Sequence, residues 1–243
     1  LNTPLAFTEK WNVVKNTFQA IVLVNNDIEN VTLVGAYVGK SNSSRAGGQT
    51  GGGGSVVNYD GEFESFHGGA YAVGAITKIA DVNLQAWYYD IDDVHSNTNI
   101  SADAYWLEAD TKVAGVFLGA QYAGTETEGA GAANSQSINA FAVKAAADVA
   151  GVHVYGAYSS VDDDASAGTE LGFQNAATGD KTKLYTGTAS IYADGATVAG
   201  EDTKAWKLGA KTKMAGISFG ASYTDVDYGS NAIAANANDD GRA

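Results

Sequence analysis

Five times along this chain a short turn is followed by the same series of side chains at a strict two-residue interval. The turns are Asp27-Ile28-Glu29-Asn30, Lys78-Ile79-Ala80-Asp81, Lys112-Val113-Ala114-Gly115, Asp148-Val149-Ala150-Gly151 and Lys213-Met214-Ala215-Gly216. After them come Val31, Val82, Val116, Val152 or Ile217, then Leu33, Leu84, Leu118, Val154 or Phe219. Two residues further on stand Gly35, Ala86, Ala120, Gly156 or Ala221, and each series ends on Tyr37, Tyr88, Tyr122, Tyr158 or Tyr223. Counting back by two from the turns ends on Tyr71, Tyr105, Phe141 and Trp206; the first copy departs, with Ala20 in the aromatic column and Phe18 two residues earlier. Successive side chains on a strand point to opposite faces, so a period of two predicts ten β-strands with one apolar face each.

The opposite faces are mixed and polar: Asn83, Gln85, Trp87 and Tyr89 on one strand, Trp106, Glu108 and Asp110 on another. A soluble sandwich also alternates, so alternation alone does not separate a lipid-facing wall from a protein core. Height does. With ~3.3 Å per residue and a tilt near 40°, the two aromatic columns lie roughly 19 and 24 Å from the turns, against an apolar band of ~25 Å edged by aromatic girdles. An interface belt requires aromatics at one common height on every hairpin. The predicted girdle is Tyr37, Tyr71, Tyr88, Tyr105, Tyr122, Phe141, Tyr158, Trp206 and Tyr223. The other end of each hairpin carries Ile and Val rather than a second belt.

Loop lengths are equally one-sided. The turns take two to four residues, while roughly 40–67, 91–101, 124–136, 161–183 and 226–243 form long segments rich in Gly, Ser, Asn and Asp. Barrels of the outer membrane pair short periplasmic turns with long extracellular loops. The expected fold is therefore an all-β, antiparallel transmembrane β-barrel, with one domain over residues 1–243. One interval breaks the rhythm: Val149 and Met214 are 65 residues apart, against 34 and 36 for the two preceding intervals. A single extra spanning strand would put the next turn on the wrong side. The excess around Lys183 to Ala193 is accordingly expected as a small outer hairpin or a segment folded into the lumen.

Composition narrows the function. A formal charge of −14 and only two arginines leave no basic footprint for nucleic acid. With no cysteine, disulfides, CxxC pairs and cysteine zinc sites are excluded. No apolar run approaches a membrane helix. The chain opens LNTPLAFTEKWN without a basic n-region, as expected of an exported protein in mature or truncated form.

Several strings are specific enough to carry a resemblance. The run Thr3 to Asn12 (TPLAFTEKWN), the run Thr32 to Lys40 (TLVGAYVGK), the run Asn83 to Asp90 (NLQAWYYD) and Ala157 to Asp164 (AYSSVDDD) resemble the major outer-membrane porins of epsilonproteobacteria, the Campylobacter-type family. The resemblance spans essentially the whole chain. It implies a homotrimeric diffusion porin of the bacterial outer membrane, with larger members built as barrels of about sixteen to eighteen strands. Against that pattern this chain lacks N-terminal strands and a terminal strand ending in an aromatic residue, so by this resemblance it is expected to be a fragment of a longer porin. The resemblance also makes calcium plausible without assigning ligands; Asp162, Asp163 and Asp164 are weak candidates, since no EF-hand spacing is present.

For permeation, the lumen-face candidates are Glu108, Asp110, Lys144, Lys207 and Lys211. Counted from the turns, Glu108 and Lys144 share a height, as do Asp110 and Lys211; opposed charges across a lumen would orient polar solutes, whereas wall ion pairs would not. Trp87, Trp106 and Tyr155 could form a sugar-stacking path. The first candidate for a constriction is the longest loop, with Arg45, Asp60, Glu62, Glu64 and His67; the 161–183 segment is the second. No Ser–His–acid arrangement can be assembled, so no enzyme and no cofactor is expected. The expected function is passive diffusion of ions and small hydrophilic solutes with a cation preference. The alternatives are a substrate-specific channel and an adhesive barrel with a plugged lumen.

Overall fold

Each turn fixes the register of its hairpin. Ala114-Gly115, Ala150-Gly151 and Ala215-Gly216 all take positive φ at both positions (50° and 85°, 50° and 82°, 48° and 82°). That is the type I′ geometry whose twist matches the strands it joins. Val113 therefore faces Val116, Val149 faces Val152 and Met214 faces Ile217. The first turn is longer and is closed by Val31 N–H donating to Ile28 C=O at 3.1 Å.

The computed structural model describes residues 2–10, 15–43, 62–95, 100–128, 136–162, 172–188, 195–229 and 241–242. Ten long strands run as β1 (Phe18–Asn25), β2 (Val31–Ser41), β3 (Glu64–Ile79), β4 (Val82–His95), β5 (Ile100–Val113), β6 (Val116–Glu128), β7 (Gln136–Val149), β8 (Val152–Val161), β9 (Thr203–Met214) and β10 (Ile217–Tyr228). The two-residue β11 (Gly241–Arg242) pairs with β10, and one helical turn, α1 (Gly195–Val198), precedes β9. All are in one antiparallel sheet whose spatial order is the chain order. Among the described residues β1 is not joined to β10 or β11, so the sheet has two unpaired edges.

The apolar columns face outward. Leu107 is 47 % exposed, Val143 47 %, Leu208 56 % and Phe219 53 %, whereas Trp106 and Ala142 on the other face are 0 % exposed. A sandwich would bury the first set against a second sheet. A continuous apolar belt of this size on the surface marks contact with lipid. Register aligns its rim. Tyr37 is directly opposite Tyr71, Tyr88 opposite Tyr105, Tyr122 opposite Phe141 and Tyr158 opposite Trp206. Ring contacts continue the line diagonally through Tyr105–Tyr122, Phe141–Tyr158 and Trp206–Tyr223 at 5.3 to 5.8 Å.

Phe18 shows why the first copy departs. In β1 it is Ile21 that pairs with the outward Tyr37, while Ala20 and Val22 pair with the buried Val38 and Ala36. Phe18, at the same parity, therefore also faces inward and packs against Phe66 at 5.8 Å, and the register shift beside it is taken up by Gly39 on β2. The strands also run further than the loop boundaries predicted from sequence. β4 continues to His95, with Ile91 and Val94 buried, and β6 continues to Glu128. Above the girdle the inner face carries a true apolar core, in which Trp106, Ile138, Ala140 and Val161 meet Leu5, Phe173, Ala177 and Leu184. The last four belong to two segments, 2–9 and 172–188, that lie inside the sheet.

Candidate permeation site

The two inner segments are tied to each other by side-chain amides. Asn175 donates through Nδ2 to Phe7 C=O and to Glu9 Oε1, each at 2.9 Å, and its Oδ1 accepts from Phe7 N–H at 3.2 Å. Ala176 N–H donates to Leu5 C=O at 2.8 Å. Asn16 Nδ2 donates to Phe7 C=O at 2.9 Å and its Oδ1 accepts from Glu9 N–H at 2.7 Å, completing a buried polar knot. Such amides replace the ladder that these residues lack.

Residues 183–187 are then moored to the wall. Gln121 on β6 donates to Lys183 C=O at 3.0 Å and accepts from Tyr185 N–H at 3.1 Å. Thr186 shares a 2.6 Å hydrogen bond with Ser159 on β8, and Lys207 on β9 donates to Gly187 C=O. Tyr185 reaches β5, where its hydroxyl donates to Glu108 Oε1 at 2.9 Å. Gly119 makes room for it: a Cβ there would lie 2.5 Å from the Tyr185 hydroxyl. Burial and the adjacent Glu108 carboxylate push the Tyr185 hydroxyl well above an ordinary tyrosine, so it remains a donor.

Glu108 is the hub of this arrangement. Its Oε2 accepts from Gln85 Nε2 at 3.0 Å and Trp106 Nε1 at 3.2 Å, while Trp87 Nε1 donates to Gln85 Oε1 at 2.9 Å. Trp87 and Trp106 are thus buried supports beneath the inner segments, at 5 % and 0 % exposure, and present no ring face to a solute. Tyr155 is half-buried lower on the wall, with Lys144 and Lys211 ammonium groups 5.4 and 5.7 Å from its ring. Lys144 also lies 5.7 Å from the rings of Phe117 and Tyr185, so aromatic faces rather than a carboxylate hold it.

The hydrogen-bonded rows sort the charges differently from a count up each strand. Glu108 stands in line with Gln85 and Gln121, whereas Lys144 stands in line with Asp110 through Gly119 and with Lys207 through Ala157. Asp110 accepts from Asn83 Nδ2 at 2.8 Å. Among the described residues the one basic–acidic side-chain contact within 4 Å is His153 Nδ1 with Asp148 Oδ1, at 3.0 Å near a turn.

Of the second constriction candidate, 161–183, the described part 172–183 lies against the inner face. The residues moored to the strands, 183–187, belong to the adjoining stretch expected as an outer hairpin or a lumen segment. Most of the first candidate lies outside the described residues. Arg45 and Asp60 lie outside the described residues, and Glu62 and Glu64 are exposed at the start of β3. His67, buried at positive φ, places Nε2 3.4 Å from Ala176 C=O and so touches the inner segment from β3. The part played by residues 2–9 was not legible in the sequence, since the burial of Leu5, Phe7 and Glu9 follows no repeating pattern. Asp163 and Asp164 lie outside the described residues, while the Asp162 carboxylate accepts from the backbone and side-chain N–H groups of Asn139 at 2.8 and 3.2 Å. No cluster of three potential metal-ligating side chains occurs among the described residues.

No protein-family model matches the sequence, and no curated protein matches it. Solved structures do. The chain is similar to Pseudomonas aeruginosa OccK2 (OpdF) in complex with glucuronate, with a TM-score of 0.69 at 14 % identity over 100 % of this chain and 62 % of that one. It is also similar to Pseudomonas aeruginosa OccK9 (OpdG), with a TM-score of 0.65 at 15 % identity over 93 % and 55 %. For Acinetobacter baumannii OccAB1 the TM-score is 0.62 at 16 % identity, over 93 % and 56 %. The chain spans between about half and two thirds of the length of these structures. The likeness shows the fold, an antiparallel outer-membrane β-barrel of the porin type.

Proposed function

We propose that this chain forms part of the wall and the inner constriction of an outer-membrane channel for ions and small hydrophilic solutes. One observation carries the reading: an apolar, aromatic-rimmed outer face encloses a polar inner face on which a segment is moored by hydrogen bonds to four strands. An adhesive barrel needs no such preorganised polar narrowing. Sheet edges in hydrocarbon need partners, so closure of the wall calls for strands beyond β1 and β10, within one polypeptide or from neighbouring copies.

The formal charge of −14 supports a cation preference through the field at the pore mouth. Planar-bilayer recording under a potassium chloride gradient tests both points. Stepwise conductance with a cation-directed reversal potential is expected. Absence of steps would refute the channel, and an anion-directed potential would refute the preference. Homotrimeric assembly and calcium binding rest on the epsilonproteobacterial resemblance alone; native mass in detergent, with and without chelator, tests them.

A substrate-selective channel is the second reading. It is favoured by the pocket between the inner segments and the wall, and one structural neighbour was solved in complex with glucuronate.

A further inference from the structure

Beside Glu108 the inner segments leave a pocket of about 250 Å³, lined by Asn2, Thr3, Pro4, Gln85, Gln121, Lys183 and Tyr185 as well as Glu108. It holds one carboxylate and one ammonium, and the two are not in contact: no ion pair within 4 Å joins Glu108 to Lys183. Glu108 is held only by neutral donors, Tyr185 on Oε1 and Gln85 and Trp106 on Oε2. A carboxylate offers about four acceptor positions, so one on Oε1 stays available toward the pocket. Lys183 gives one proton to Asn2 Oδ1 at 3.2 Å and lies 4.5 Å from the Phe7 ring, which leaves the rest of its ammonium for a ligand.

We infer that this pocket binds small zwitterionic solutes in transit, with a solute ammonium on Glu108 and a solute carboxylate on Lys183. The inference rests on the channel reading above and names the solute class of that channel. Three properties of the site favour this class over its rivals. A simple anion gains Lys183 but meets Glu108; a simple cation meets the reverse. A hard metal ion wants six or more oxygen ligands and finds one carboxylate beside an ammonium. A zwitterion satisfies both ends without net charge.

The fit is also one of size and rigidity. At ~30 Å³ per water, the pocket holds the equivalent of about eight waters, room for a solute of amino-acid size. Gln85 holds the Glu108 carboxylate, Gln121 holds the backbone that carries Lys183, and Asn2 Oδ1 with the Phe7 ring places its ammonium, so the two charges are positioned before a solute arrives. Preorganisation of this kind lowers the ordering cost of binding.

Four solutes of nearly equal size separate the possibilities: glycine, uncharged glycolamide, anionic glycolate and cationic aminoethanol. Swelling of liposomes containing the protein should be faster in glycine than in glycolamide by about three- to fivefold, the discrimination expected of a solvent-facing charge contact. Lys183→Gln and Glu108→Gln should each bring the ratio to about one, as loss of one charge contact implies. Lys183 is the safer variant because its side chain faces solvent; heat-modifiable migration on gels checks folding of both. Equal rates for glycine and glycolamide, or a ratio that both substitutions leave intact, would overturn the site. So would a preference for glycolate or aminoethanol over glycine. Failure of the wild-type protein to conduct potassium chloride would instead overturn the channel reading itself.

Discussion

Gln121→Met tests whether the inner segment is held by the wall or merely rests against it. Gln121 is 4 % exposed and forms both hydrogen bonds that fix the 183–185 backbone, at 3.0 and 3.1 Å. Methionine keeps the shape and removes both partners, leaving Lys183 C=O and Tyr185 N–H without them. Each orphaned group costs ~1–3 kcal/mol when dry, so the pair costs ~2–6 kcal/mol. Lumen water can reach this position, which puts the expected value at the low end, near ~2 kcal/mol, or about a 30-fold shift in the docked-to-undocked ratio. Tyr185–Glu108, Thr186–Ser159 and Lys207–Gly187 remain as moorings. The segment should therefore flicker rather than leave. Single-channel recordings should show larger open-channel noise and a higher mean conductance, with the barrel still folded by heat-modifiable migration. Noise and conductance identical to wild type in a folded barrel would refute the claim that these two bonds hold the constriction.

Leu118→Arg places a charge on the outward face four residues below Tyr122, toward the middle of the apolar band; it should cost ~2–4 kcal/mol in urea unfolding from lipid vesicles, and a cost near zero would deny that this face meets lipid. Ala114→Gly relieves a positive φ of 50° that costs an L-residue ~1–2 kcal/mol, offset by ~0.5–1 kcal/mol of glycine entropy. A net gain of ~0–1.5 kcal/mol by the same unfolding assay is expected, and a clear loss would refute the strain. Desolvation lowers the Lys183 pKa, partly offset by Glu108, so its proton leaves below the ~10.4 of a free lysine. Loss of that positive charge should make the reversal potential more cation-directed as pH rises through the lowered value, and Lys183→Gln should flatten this alkaline limb.

The wall was legible because its period is strict and its turns are short. Alternation named the two faces, and the tyrosines at one height said which of them meets lipid. What alternation could not show was which column, and so which parity, of β1 faces outward. Ala20 in an aromatic column was the visible sign; its pairing with Val38, and that of Val22 with Ala36, puts this column and Phe18 with it on the inner face, against Phe66. The inner site was less legible for a different reason. Period assigns Trp87 and Trp106 to the inner face but cannot say whether water or another segment covers them. They are covered by residues more than 60 positions away in sequence, and the contacts are made by single amides of Asn175 and Gln121, which have no repeating pattern. The 65-residue interval did mark the segment as exceptional, because a lone spanning strand there would break the alternation of sides.

The wall and the site depend on one another through that parity. Because successive side chains point to opposite faces, the choice that sends Tyr105 and Leu107 into lipid also sends Trp106 and Glu108 inward. Glu108 then faces Gln121 only because the Ala114-Gly115 turn pairs Val113 with Val116 without an intervening residue. A slip of one position would exchange every outward leucine for an inward acid or amide, so the lipid face polices the register with many side chains at once. The proposed constriction needs no separate device to align it. Three residues on adjacent strands, Gln85, Glu108 and Gln121, fall into one row as a by-product of keeping the aromatic rim level. Evolution of a different solute preference could then proceed by exchanging inner-face side chains or the moored segment, while the outer face and turns continue to hold the row in place.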